Sequence, residues 1–241
     1  MSRISSIFLS LCLAGVAISQ VIEQAAEGGK QVLASAHTGK TVRQCSCEEQ
    51  DSCVDEMKGQ AAKCFHECWD SADLAKVTNN TDDLKGCFEE KEYVIDEFLT
   101  CLHGDMKTCV QDKSGPQIPY TDINKVISAG EKRLGAQAKK FLQTLNTDGH
   151  DLVQTALDVG ACIKKCFLKQ NGAGFCFDKA KCQPKIEEQE AKKTIKKCVR
   201  EVGWKKEAGE MCECAMNAGV EKVKPYCQIL HTAQRNRGGR R

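Results

Sequence analysis

Residues 84–110 read LKGCFEEKEYVIDEFLTCLHGDMKTCV, and the spacing of their apolar side chains decides the predicted fold class. Apolar residues recur every three or four positions with no proline among them, which is the pattern of one long amphipathic helix. Residues 81–83, TDD, supply N-cap and acidic residues for its first turn. Similar stripes follow at 123–145 and from 152 onward, and no sustained two-residue alternation predicts strands. We therefore predict an all-α fold.

The first 19 residues have the composition of a secretory signal. Arg3 precedes an apolar run, and residues 17–19, AIS, fit a cleavage site between small residues. The run is shorter than the roughly 20 residues that a membrane-spanning helix requires. No later stretch of the sequence is apolar enough to span a bilayer, and the basic residues 235–241 do not fit a GPI signal. We expect a secreted, extracellular protein with no transmembrane segment.

The chain contains 17 cysteines, and Cys12 lies in the signal segment, so 16 remain after cleavage. An even number at this density in an oxidising compartment predicts a disulfide framework of up to eight bridges. The expected participants are Cys45, Cys47, Cys53, Cys64, Cys68, Cys87, Cys101, Cys109, Cys162, Cys166, Cys176, Cys182, Cys198, Cys212, Cys214 and Cys227. Zinc sites usually contain Cys-x2-Cys pairs, and this spacing occurs nowhere in the sequence. We therefore expect neither a bound metal nor a cofactor.

The distribution of cysteines divides the chain into two units. Eight of the 16 lie within residues 45–110 and eight within 161–227, on either side of a cysteine-free segment. We predict an acidic eight-cysteine helical unit at 45–110, a helical connector at 111–160 and a basic eight-cysteine helical unit at 161–227. A flexible N-terminal arm at 20–44 precedes these units, and a basic tail at 228–241 follows them.

Charge divides along the same line. Residues 20–120 contain 10 Lys and Arg against 19 Asp and Glu, and residues 121–241 contain 24 against 14. With Arg3 of the first 19 residues, the net charge of +2 therefore conceals halves of −9 and +10, which could attract each other or two different partners. The overall balance excludes a globally basic nucleic-acid-binding protein, and 28% charged residues exclude a bundle of membrane spans.

Helix geometry predicts a disulfide register for the first unit. If residues 45–70 form a helical arm antiparallel to 84–110, cysteines equidistant from the connecting loop face each other, and the intervals agree within one residue. The predicted bridges are Cys68–Cys87, Cys53–Cys101 and Cys45–Cys109, with Cys47 and Cys64 bonded to each other or to the second unit. We therefore expect disulfide-stapled helical hairpins.

The second unit permits two interpretations. A bend at Gly203 would give a similar antiparallel pairing of cysteines, with the bridges Cys198–Cys212 and Cys182–Cys227. One straight helix is the alternative, because the halves resemble each other: residues 64–68 and 162–166 share Cys-x3-Cys spacing, and LKGCF at 84–88 matches IKKCV at 195–199. Duplication and coincidence both remain open.

A basic surface in the second unit is the main candidate binding site. Its residues recur at helical spacing: Lys192, Lys193, Lys196, Lys197, Arg200, Lys205 and Lys206. Such a surface attracts anionic glycans or acidic proteins over long range, whereas nucleic acid does not fit an extracellular compartment. An ordinary solvated helix face is the alternative interpretation.

We thus hypothesise a non-enzymatic structural or interaction protein of the extracellular space, whose partner is an unidentified protein or anionic glycan. The alternative function is an extracellular carrier that encloses lipid or another small ligand between its amphipathic helices. The same apolar stripes are also typical of an ordinary helical core.

No sequence pattern indicates catalysis. GxSxG, HExxH, P-loop and EF-hand patterns do not occur, and we expect His66, between Cys64 and Cys68, on an exposed helix face. Residues 79–81, NNT, form an N-glycosylation sequon with Asn79 as the acceptor. Ser114 precedes a glycine, but one nearby acid does not decide whether it carries a glycan. We expect a glycoprotein without catalytic residues.

The motif CFHECW at 64–69, with Cys87, Cys101 and Cys109 after it, resembles a cysteine-patterned helical domain of nematode secreted proteins. This domain type is named for chondroitin proteoglycan 4. The resemblance covers roughly residues 45–110, and less clearly 160–227. It implies an extracellular, disulfide-bonded helical module without known catalysis. The chain departs from a proteoglycan because it lacks runs of acidic Ser-Gly sites.

Overall fold

A computed structural model describes residues 36–142, 150–224 and 227. The α-helices are α1 (Cys47–Ser71), α2 (Thr81–Glu89), α3 (Glu92–Asp105), α4 (Ile123–Leu142), α5 (His150–Gln170), α6 (Cys176–Ala180), α7 (Glu188–Glu201) and α8 (Trp204–Asn217), with 3-10 turns at Leu74–Lys76 and Glu221–Val223. The strands are β1 (His37–Gln44), β2 (Gln117–Thr121) and β3 (Cys182–Gln183). The predicted all-α, disulfide-stapled class is confirmed apart from this small sheet. The predicted signal segment and the basic tail lie outside the described residues.

The small sheet includes the end of the predicted N-terminal arm at 20–44, because residues 37–44 form β1. β1 pairs antiparallel with β2, where Thr41 lies opposite Pro119. It pairs in parallel with β3, where Arg43 lies opposite Cys182. The sequence of β1, HTGKTVRQ, has no two-residue alternation, because most of its side chains are exposed or half-buried. Sequence periodicity therefore could not reveal this strand.

A capping box starts α1 directly after β1. The Ser46 hydroxyl accepts a hydrogen bond from the Glu49 amide, while the Glu49 carboxylate accepts one from the Ser46 amide at 3.0 Å. Arg43 donates two further hydrogen bonds to this carboxylate, at 2.8 and 2.9 Å. These bonds, led by those from Arg43, lower the pKa of Glu49 to about 2. The end of β1 is thereby fixed to the first turn of α1.

All 16 expected cysteines are bonded, which confirms the disulfide framework. The eight bridges are Cys45–Cys182, Cys47–Cys109, Cys53–Cys176, Cys64–Cys166, Cys68–Cys162, Cys87–Cys214, Cys101–Cys198 and Cys212–Cys227. Only Cys47–Cys109 and Cys212–Cys227 stay within one predicted unit. The other six join residues 45–110 to residues 161–227, so the two units are crosslinked to each other rather than separately.

The predicted register of the first unit is wrong, because α1 packs against α5 and not against α3. The three predicted bridges Cys68–Cys87, Cys53–Cys101 and Cys45–Cys109 are all absent from the eight described. Cys64 does bond to the second unit, as one of the two open alternatives allowed, whereas Cys47 bonds within the first. The antiparallel order of paired cysteines is present, but the partners of residues 45–68 lie in α5, α6 and β3.

The predicted bridges Cys198–Cys212 and Cys182–Cys227 are also wrong. Cys198 bonds to Cys101 and Cys182 to Cys45, which leaves Cys212 and Cys227 to bond to each other across a 15-residue separation. The bend at Gly203 is nevertheless confirmed. Gly203 has a φ of 69°, a left-handed conformation that glycine adopts without steric penalty, and it separates α7 from α8.

The single helix predicted over 84–110 is two helices, broken at Glu90 and Lys91. α2 packs against α8 and is bonded to it through Cys87, whereas α3 packs against α7 and is bonded to it through Cys101. Because α7 and α8 bend at Gly203, a straight helix could not follow both. The break allows each half of this segment to meet its own partner.

The hydrophobic core is small and contains much sulfur. Eight of the nineteen buried apolar side chains in the described part of the chain are cysteines. One cluster contains Trp69, Leu84 and Val220, and another contains Phe177 packed beside Cys45. The bridges therefore supplement a modest apolar core, as is usual for disulfide-rich extracellular proteins.

Candidate functional site

A groove with apolar walls runs between α1 and α3 and is the candidate binding site. Its volume is about 770 Å³, within the range of about 300–1,000 Å³ typical of small-ligand sites. Phe167 of α5, Phe177 of α6 and Ile186 after β3 also line it. Ile186 is 41% exposed and adds apolar surface to the groove.

The apolar wall that α1 contributes comes from a simple helical pattern. Val54, Met57 and Ala61 line the groove at positions i, i+3 and i+7 of one helix face. Cys64 and Cys68 continue this stripe and bond to α5, whereas Val54, Met57 and Ala61 are left half-buried or exposed.

The opposite wall repeats the same spacing on α3. Leu99 and Leu102 of α3, with Met106 directly after the helix, line the groove at i, i+3 and i+7, and all three are half-buried. α3 is bonded to α7 on its other side. Two apolar helix faces therefore lie across the groove from each other, and each helix is held by a different neighbour.

Charged residues form the rim of the groove. The Lys58 ammonium lies 2.5 Å from the Asp96 carboxylate, and His103 Nε2 lies 3.1 Å from the Asp51 carboxylate. Both pairs connect α1 to α3. The hydrogen bond from Lys58 to Asp96 raises the pKa of Lys58. Such exposed pairs orient the rim more than they stabilise the fold.

A second cavity adjoins the groove beside the sheet and has a volume of about 440 Å³. It shares Met57, Phe177, Pro184 and Ile186 with the groove. Its other apolar lining includes Ile118 of β2. The two spaces thus meet at a common set of apolar side chains, which extends the apolar surface available to a ligand.

The predicted basic surface is partly assembled on α7. Ala191 and Cys198 are buried on one face of this helix, and Lys193, Lys197 and Arg200 are exposed on the other. Lys192 and Lys196 are half-buried along its flank. We call these five basic residues the α7 ridge.

Acidic residues neutralise part of the α7 ridge. Lys197 lies 2.6 Å from the Asp105 carboxylate and 3.6 Å from that of Glu201. The hydrogen bond to Asp105 raises the pKa of Lys197. Arg200 donates a hydrogen bond to the Lys196 carbonyl at 3.2 Å. The pair Lys197–Asp105 also shows that the basic and acidic halves attract each other directly.

The last two predicted basic residues lie beyond the Gly203 bend, on α8. The Lys206 ammonium lies 3.0 Å from Glu210 and 3.4 Å from Glu207, and the side chain of Lys205 is outside the described part. The structure therefore assigns Lys206 to an acidic cluster rather than to the α7 ridge.

Glu207 is the centre of that cluster and is only 8% exposed. Lys91 donates a hydrogen bond to it at 2.8 Å and Tyr93 donates one at 2.6 Å. The bond from Lys91, followed by that from Tyr93, lowers the pKa of Glu207 to about 2. Lys91 also contacts Glu210, and the two carboxylates raise the pKa of Lys91. This network joins the start of α3 to α8.

One group of potential metal ligands lies together in the described part of the chain: Cys101, Asp105, Cys198 and Glu201, within 4.8 Å of one another. The two cysteines are bonded to each other, and a disulfide lacks the thiolate charge that binds metals. Lys197 already pairs with both carboxylates. The chemistry of this donor set does not fit a metal centre.

The remaining predicted positions are on the surface. Asn79 is exposed in a bend just before α2, an accessible place for a glycan. Ser114 is exposed and donates hydrogen bonds to Asp112. His66 is half-exposed on α1, 3.7 Å from Glu89, which agrees with the expected helix-face position. Among the helices that the structure describes, none is both long and apolar enough to cross a membrane.

Sequence reasoning placed the candidate site on the α7 ridge and missed the groove. The groove residues lie in segments separated by more than 40 residues, such as Val54, Leu99 and Ile186. The matching i, i+3, i+7 stripes were the available signal, but such stripes usually indicate core. No protein-family model, curated protein or solved structure matches the chain.

Proposed function

We propose that this chain is an extracellular, non-enzymatic binding protein that holds a small apolar or amphipathic ligand in the groove between α1 and α3. One observation carries the proposal: two apolar helix faces lie across a groove of about 770 Å³ and are held by separate neighbours. A groove of that size with a few polar rim residues is typical of ligand sites.

The extracellular assignment rests on the disulfide framework. Eight bridges are consistent with an oxidising compartment, because thiols in the cytosol are kept reduced. The predicted signal segment at 1–19 and the exposed sequon at Asn79 support the same location. The non-enzymatic assignment agrees with what the resemblance to the chondroitin proteoglycan 4 domain type implies. That relationship stays a prediction.

Displacement of a neutral fluorescent probe, N-phenyl-1-naphthylamine, by single-chain lipids tests the groove. Ala61 is exposed on α1 and lines the groove, so Ala61→Trp should fill it and weaken probe binding by roughly tenfold or more. Ala62→Trp is the matched control, because Ala62 is equally exposed on the same helix but is not among the lining residues. It should bind like the wild type. Equal binding by all three proteins, or no binding by any, would contradict the proposal.

The α7 ridge supports a second candidate function, the binding of anionic glycans. Lys193 and Arg200 are exposed on the same side of α7, and such charge attracts polyanions with an affinity that salt weakens. Replacing both by Gln should lower the salt concentration that elutes the protein from immobilised heparin. Lys40→Gln with Lys113→Gln removes the same charge from exposed positions elsewhere. If this control pair shifts elution as far as the ridge pair does, the ridge is not the site.

A further inference from the structure

Gln50 is the one groove-lining residue of α1 that has a buried polar atom without a partner. It is 4% exposed, and its Oε1 has no hydrogen-bond partner among the described residues. Buried side-chain oxygens in native proteins nearly always accept a hydrogen bond, so an exception calls for a specific explanation. A ligand in the groove provides one.

The position of Gln50 fits this explanation. Gln50, Val54, Met57 and Ala61 follow one another at intervals of four, three and four residues on α1, and all four line the groove. Gln50 is therefore the polar end of an apolar stripe that spans about 16 Å of helix. An amphipathic ligand with its chain along the stripe would bring its head group to Gln50.

The surrounding charges limit the head group. Asp51 and Asp55 lie near Gln50 on α1 and line the groove with it, whereas Asp96 of α3 lies opposite Lys58, about two turns farther along α1. The two basic side chains on this rim, Lys58 and His103, already face Asp96 and Asp51. A carboxylate head would meet these acids and could donate nothing to an acceptor oxygen. A neutral head that donates a hydrogen bond suits the site.

We propose that Gln50 Oε1 accepts a hydrogen bond from the hydroxyl group of a single-chain amphipathic ligand bound in the groove. This inference rests on the proposed function, since it requires the groove to be occupied by a ligand. It adds the class of head group and the residue that recognises it.

The test measures displacement of N-phenyl-1-naphthylamine from the full secreted protein by 1-tetradecanol, its methyl ether and myristate. The ether has the same chain but no donor. The wild type should bind the alcohol about 3- to 10-fold more tightly than the ether, as one hydrogen bond predicts, and should bind myristate more weakly than the alcohol. Gln50→Met keeps the length of the side chain. It should bind the ether as tightly as the wild type does, and it should bind the alcohol no more tightly than the ether.

The outcomes separate this inference from the proposed function. Equal affinity of the wild type for alcohol and ether, or tighter binding of myristate, overturns the role of Gln50. If probe binding is at the same time weakened by Ala61→Trp, the groove remains the binding site. Absence of any probe binding overturns both proposals. Even if the Gln50 variant does not fold, the ratio of the wild-type affinities for alcohol and ether tests whether a hydrogen-bond donor on the ligand is required.

Discussion

Two neighbouring disulfides should stabilise the same contact between α1 and α5. They join the Cys-x3-Cys segments at residues 64–68 and 162–166. The test removes one of these two disulfides, Cys68–Cys162, by changing both cysteines to alanine. In a chain with no other bridge, the 94-residue separation of this pair would correspond to about 4.7 kcal/mol of stabilisation. Because Cys64–Cys166 joins the same helices one turn away, the removed bridge closes a loop of only about ten residues, which corresponds to about 2.7 kcal/mol.

The assay combines guanidinium unfolding under non-reducing conditions with Ellman titration of the denatured protein. Cys68→Ala with Cys87→Ala is the comparison, because it removes the pair that hairpin geometry predicts. It would break two bridges and leave thiols at Cys162 and Cys214. We expect no free thiol and a loss of about 2.7 kcal/mol in the first variant, and two free thiols with a larger loss in the second. Two thiols in the first variant, or none in the second, would refute the pairing.

Four further predictions concern single residues. Glu207→Gln should lower the free energy of unfolding by about 1–3 kcal/mol at neutral pH, because Lys91 and Tyr93 lose a charged acceptor. The pKa of Glu207 is about 2 in the folded protein, against an ordinary value of 4.5. The difference between wild type and variant should therefore be constant above about pH 5 and vanish as the pH falls towards 2, which urea unfolding across that range measures. Gly219→Ala should cost about 1–3 kcal/mol in the same assay, since Gly219 has a φ of 86° and an added Cβ would lie 2.9 Å from Thr78 Oγ1. Gly86→Ala, inside α2 with open space around the new Cβ, should instead stabilise by about 0.5–1 kcal/mol. Asn79→Gln should abolish the mass change that peptide N-glycosidase causes in the secreted wild-type protein; no such change in the wild type would contradict glycosylation.

Helix periodicity and cysteine number were sufficient to predict the fold class and the participation of every bonded cysteine. The rule that cysteines at equal distances face each other in antiparallel helices also holds. Outward along α1, Cys68, Cys53 and Cys45 are separated by 15 and 8 residues. The arm from 87 to 109 offers intervals of 14 and 8, and the true partners from 162 to 182 offer 14 and 6. These intervals differ by too little to choose between the arms.

A sharper signal was present in the sequence. Cysteines four residues apart lie on one face of a helix, and this spacing occurs only at 64–68 and 162–166 among the 17 cysteines. Two such helices packed antiparallel can form both bridges at once, Cys64 with Cys166 and Cys68 with Cys162. No other segment offers α1 a matching pair. The match between the halves leaves duplication and coincidence open, but its physical consequence is that the two motifs bond to each other.

The pairing of α1 with α5 also determines whether a binding site exists. In the predicted hairpin, the stripes that contain Met57 and Leu102 would pack against each other and form ordinary core. The bridges instead hold α1 against α5, α6 and β3, and hold α3 against α7 through Cys101. Two amphipathic faces are thereby kept opposite each other without closing, because α3 is bonded to α7 through Cys101, away from its groove-lining residues, while α1 is bonded to α5 and α6. Closing the groove would have to displace helices fixed by covalent bonds, so its width depends on the disulfide map rather than on its apolar lining.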